Sequence, residues 1–126
     1  MLQADLGRAE GLLRSGRALL YETLDELWQL VAAGQTPSVA QRAMQVLAST
    51  QATQSAIQTV ELMFSAAGSA SVYTTTSQLE RCLRDARTAG QHIAVVPANY
   101  EMVGQAMLGF DMRMTPLLIM DDRSAG

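Results

Sequence analysis

Leu79-Glu-Arg-Cys-Leu-Arg-Asp-Ala-Arg-Thr-Ala-Gly-Gln-His-Ile-Ala94 is the stretch whose periodicity decides the fold. Leu79, Leu83, Ala86, Gly90 and Ile93 fall at steps of three and four, which lays one apolar stripe along a helix. Arg81, Asp85, Thr88 and His92 are spaced four, three and four, and line up beside that stripe. Ser77 stands three residues before Glu80, a pattern that satisfies orphan N–H groups at a helix start. The spacing predicts one helix over 79–94. It packs through one face and presents Arg, Asp, Thr and the single histidine on another.

Downstream, Pro97 lacks the N–H a helix needs and ends this helix near Val95. A further helix is expected over Pro97–Leu108, with Tyr100, Val103, Met107 and Leu108 turned inward and Gly109 as its stop. Residues 1–110 then form the helical domain and 111–126 a tail. Within the tail, Leu117–Met120 is apolar enough to pack, and Asp121–Gly126 is expected to be disordered. Upstream, Gly68 stops a long helix, and Ser69–Ser77 is an uncharged Ser/Thr-rich connection.

That long helix is expected to start at Thr36-Pro37-Ser38, with Thr36 as cap and Pro37 in the first turn. Ala43, Val46, Thr50, Thr53, Ile57, Val60 and Phe64 form its stripe, small and polar at the middle. Its glutamines at 41, 45, 51, 54 and 58 read as a solvated face or a surface between subunits. The first helix spans 2–33 and ends at Gly34. Leu6, Ala9, Leu13, Leu20, Leu24, Leu27 and Val31 are its expected apolar stripe, with Trp28 burying its ring against a partner helix. Gly11 and Gly16 read either as local fraying or as close approach of another backbone. Long helices joined by short connections predict an all-α, up-and-down four-helix bundle.

Composition narrows the function. The 126 residues suffice for one core, and Ala, Leu, Met and Gln outweigh the 5% aromatics, which favours helix. A net charge of −3 with no basic block disfavours nucleic acid. No signal peptide or membrane-length apolar run is present, so a soluble, cytoplasmic chain is expected. The single cysteine, Cys82, suits a reducing compartment and reads as a small buried hydrophobe. One His and one Cys cannot build a zinc site, and neither a phosphate-binding glycine loop nor a Glu-x-x-His pair occurs, so no metal site is expected. His92 with Arg81, Asp85 and Thr88 remains. The plain reading pairs Arg84 with Glu80 and Arg81 with Asp85 and leaves His92 as an interfacial side chain. The functional reading makes His92 a hydrogen-bond or proton donor in a cleft, with arginines serving an anion.

The segment from Leu79 to Val95 resembles the C-terminal helical domain of the acyl-CoA dehydrogenase superfamily, of the kind found in flavin-dependent monooxygenases of two-component systems. Phe64-Ser-Ala-Ala-Gly68 resembles the helix end and turn leading into that motif, and Asn99–Gly109 resembles the family's last helix. The resemblance implies that His92 faces a flavin ring and assists its reaction with oxygen. It implies cofactor-binding positions at Arg84, Asp85 and Gly68. Acyl-CoA dehydrogenases proper carry a Glu-Gly-Thr motif after Arg-Asp, whereas this chain has Gln91-His92-Ile93, which tilts the implication from CH–CH oxidation toward oxygenation. The resemblance also implies a homotetramer with the bundle at its centre, a small-molecule substrate and a flavin reductase as partner. The family's N-terminal helical and middle β domains are absent from this sequence. It therefore reads as a fragment or truncated form, inactive alone, with FMN or FAD bound only when those domains are present. The reading of a different class is a non-catalytic helical oligomerisation module.

Overall fold

A computed structural model describes residues 2–68 and 76–112. Among these the chain forms α1 (Leu2–Ala32), α2 (Val39–Ala67), α3 (Thr76–Ala89) and α4 (Asn99–Met107), with no strand. The expected all-α, four-helix fold is thereby borne out. The connection at 69–75 and the stretches Leu117–Met120 and Asp121–Gly126 lie outside the described residues.

Helix α2 is the hub. It packs against each of the other three, and among the described residues α1, α3 and α4 do not pack on one another. Contacts along it set the directions. Thr59 reaches the Ala9 carbonyl at 3.4 Å, and position 16 of α1 abuts Ser55 and Ala52, so α1 runs antiparallel to α2. On another side, Arg87 meets Glu61, Gly90 meets Ile57, Asn99 meets Thr50, and Val103 packs with Val46 and Ala43. Both α3 and α4 therefore run antiparallel to α2. Helix α4 continues the path of α3 rather than reversing it, and residues 90–98 form a break in one rod.

Local chemistry explains the boundaries. Gly34 and Gly68, with φ of 77° and 55°, follow α1 and α2 in positive-φ conformations that side chains resist. Helix α2 is capped by Ser38, not by Thr36 as expected. The Ser38 hydroxyl accepts from the Gln41 N–H at 3.2 Å, and the Gln41 side chain accepts from the Ser38 N–H at 2.9 Å. A cap at Thr36 would put Val39 where a glutamine or glutamate is needed. Ser77, the expected cap of α3, already lies within that helix.

The buried face of α1 is rotated from the expected stripe. Ala9, Gly16 and Thr23 are buried and Leu12, Leu19, Leu20, Leu27 and Leu30 half-buried, while Leu6, Leu13, Leu24 and Val31 are exposed. A Cβ at Gly16 would lie 3.0 Å from the Ser55 Cβ and 3.3 Å from the Ala52 Cα, so close backbone approach is the role of this glycine. Nothing lies within 4 Å of position 11. The Trp28 ring, expected to be buried, is 73% exposed. In α4, Asn99 and Val103 are buried with Met102 and Ala106 beside them, while Met107 and Leu108 face outward, against expectation. The buried cluster of Ala43, Val46, Val103 and Met112 carries the packed core two residues past the boundary expected at 110.

Candidate functional site

Helix α3 is shorter than its periodicity predicts. It ends at Ala89, so His92 is not on the same helix as Arg81, Asp85 and Thr88. The last turn tightens as the Gln91 N–H donates to the Thr88 carbonyl at 3.1 Å and the His92 N–H to the Ala89 carbonyl at 3.2 Å. Gly90 is buried, and a Cβ there would come within 2.6 Å of the Ile57 Cδ1. The chain presses onto α2 at this point and then loops outward. Gly90 thus belongs to the apolar stripe, as expected, while Ile93 is 63% exposed.

The loop that carries His92 is tied down closely. The Val95 N–H donates to the His92 carbonyl at 2.9 Å. Gln54 of α2 donates to the Val95 carbonyl at 3.4 Å. Asn99, buried at the start of α4, donates to the Ile93 carbonyl at 3.0 Å and to the Thr50 hydroxyl at 3.4 Å. Tyr100 donates to Gln51 at 2.7 Å, and burial pushes its hydroxyl above the ordinary tyrosine pKa. The polar centre of α2, Thr50, Gln51 and Gln54, thus anchors the break in the α3–α4 rod. These glutamines are half-buried and bond within the chain, rather than forming a wholly solvated face.

His92 itself is exposed, and its Nδ1 accepts the Ala94 N–H at 3.1 Å. An imidazole nitrogen that accepts carries no proton, so the neutral ring holds its hydrogen on Nε2. Among the described residues that Nε2–H has no acceptor. The ring is held through Nδ1, and its Nε2–H is left as an exposed donor.

Arg84 is exposed on α3 and pairs with Glu80 at 3.2 Å. Together with Leu83, Arg87, Thr88 and Gln91 these residues line a shallow hollow of about 410 Å³. Arg87 pairs with Glu61 of α2 at 3.0 Å. Asp85 is exposed and forms no ion pair with Arg81, contrary to the plain reading of that stretch. Gly68 ends α2, about 16 Å along the helix from the level of Ile57 and the His92 loop. The single chain therefore brings Arg84 and His92 to one side of α2 and leaves Gly68 at the far end. Cys82 is exposed, not buried as expected. Sequence reasoning missed Asn99 as the loop's anchor. The available signal was Thr50, a polar residue centred in an apolar stripe.

No helix among the described residues is long and apolar enough to cross a membrane. Residues 1–97 match the family described as acyl-CoA dehydrogenase, C-terminal domain. The chain is 31% identical over 109 residues to an indole-3-acetate monooxygenase of Pseudomonas putida. That alignment covers 86% of this chain and 28% of the relative's length. No solved structure matches the chain.

Proposed function

Since the chain belongs to the acyl-CoA dehydrogenase C-terminal domain family, we propose that it serves as the C-terminal helical domain of a flavin-dependent monooxygenase, completing the flavin and substrate pocket. The observation that carries this reading is the His92 ring, held through Nδ1 with a donor Nε2–H left over. Such a donor set fits a flavin, whose ring edge offers carbonyl and nitrogen acceptors. Reduced flavin, when bound, supplies the electrons that activate O2. His92 would direct its Nε2–H to an oxygen acceptor on that group. Arg84 offers a cation to an anionic group, and its exposed pairing with Glu80 costs little to exchange. Asp85 and Gly68 stand as further flavin-facing positions, completed by domains outside this chain or by a neighbouring subunit.

Exposed Leu6, Tyr21, Leu24, Trp28 and Val31 on α1 support the accompanying role of an oligomer core, with a homotetramer as the assembly. The same face also favours a second reading, an assembly module with no catalytic part. A CH–CH dehydrogenase is the other alternative, disfavoured by Gln91-His92-Ile93 in place of Glu-Gly-Thr. Cytoplasmic location and reductase partnership follow from the monooxygenase reading.

Titration of the complete enzyme with reduced FMN and reduced FAD under anaerobic conditions tests the proposal. Arg84→Ala should weaken binding of the preferred flavin about tenfold, the loss expected for one charge-assisted hydrogen bond. Unchanged affinity removes Arg84 from the site. Absence of any flavin binding by the complete enzyme leaves the assembly module.

A further inference from the structure

We infer that Asn99 is a positioning residue that fixes the His92 ring, through the Ile93–Ala94 peptide, in the tautomer that carries its proton on Nε2. The peptide group between Ile93 and Ala94 is a rigid plane, with its C=O and N–H on opposite edges. Its carbonyl accepts from the Asn99 Nδ2 at 3.0 Å. Its N–H donates to the His92 Nδ1 at 3.1 Å. One planar unit thus connects a buried amide to an exposed imidazole. Holding the carbonyl holds the N–H, and the N–H selects the tautomer. Hydrogen bonds in such a chain also polarise one another, so the Asn99 bond strengthens the grip on Nδ1.

Asn99 is suited to the task because it cannot easily move. It is 6% exposed, and its second amide hydrogen is engaged by the buried Thr50 hydroxyl at 3.4 Å. Gln54 holds a nearby carbonyl, that of Val95, at 3.4 Å. Rotation of the Ile93–Ala94 peptide would break both of its bonds and leave the Asn99 amide short of an acceptor in a buried site. The catalytic value of the tautomer rests on the monooxygenase reading, but the tautomer itself does not.

The test is the ring nitrogen spectrum of the full chain labelled with 15N-histidine, taken at alkaline pH where imidazole is neutral. The native chain should show an acceptor-type Nδ1 and a protonated Nε2, with the Ala94 amide protected from exchange. A protonated Nδ1 or a freely exchanging Ala94 amide overturns the inference before any substitution is made. Asn99→Asp keeps the size of the side chain but removes the donor, and should shift the ring to the tautomer mixture of an unstructured histidine peptide. Thr50→Val loosens Asn99 while sparing its bond to Ile93, and should leave the spectrum unchanged. An equal shift in both variants means general loosening and rejects the positioning role. Altered tautomer in Asn99→Asp with unaffected product coupling in a His92→Ala enzyme keeps this inference and removes the catalytic reading. The opposite pair of results does the reverse.

Discussion

His92 and Gly16 show how single residues settle questions that patterns leave open. A glycine within a helix carries a cost against alanine of about 0.5–1 kcal/mol unless something needs the space. Position 11 has nothing within 4 Å, and position 16 has Ser55 and Ala52 against it. Gly11→Ala should therefore stabilise the chain by about 0.5–1 kcal/mol, whereas Gly16→Val should destabilise it by about 1–3 kcal/mol through overpacking. Denaturant melts of the two variants check both signs. From sequence, the two glycines looked alike, because the difference lies in the partner helix. His92 was legible as the sole histidine on a polar stripe, but its loop was not. The periodicity runs unbroken through Gly90, and the close approach of that position to Ile57 is visible only once the helices are packed.

At the scale of elements, the long helices were readable because capping and periodicity agree. Gly34 and Gly68 end α1 and α2 where their positions predict. The start of α2 turned on reciprocity. Ser38 has Gln41 three residues on, and Thr36 has only Val39. Ser38→Ala should cost about 1 kcal/mol, and Thr36→Ala should lie near zero, in thermal melts of the two variants. The inward face of α1 was harder to read. Apolar residues cover two adjacent sides of that helix, and α2 took the side with Ala9, Gly16 and Thr23, where backbones approach closely. The side carrying Leu6, Leu13, Leu24 and Val31 was left uncovered. No periodicity within one helix distinguishes a side meant for its own chain from a side meant for another.

For the whole molecule, α2 lies between α1 and a broken rod made of α3 and α4, and the break presents His92. The uncovered side of α1 carries Trp28, the single tryptophan. If it meets other subunits, Trp28 emission should shift to the blue as concentration rises, in step with the sedimentation coefficient, and Trp28→Glu should hold the chain at its lowest oligomeric state. Constant emission across the range counts against an interface there. The match with the monooxygenase covers 28% of that relative's length. The most direct measurement is product formed and hydrogen peroxide released per reduced flavin oxidised, in the complete enzyme carrying His92→Ala. If His92 donates to the flavin site, product per flavin should fall about tenfold, the loss of one well-placed hydrogen bond, while peroxide rises to match. Coupling equal to that of the unaltered enzyme would contradict that role.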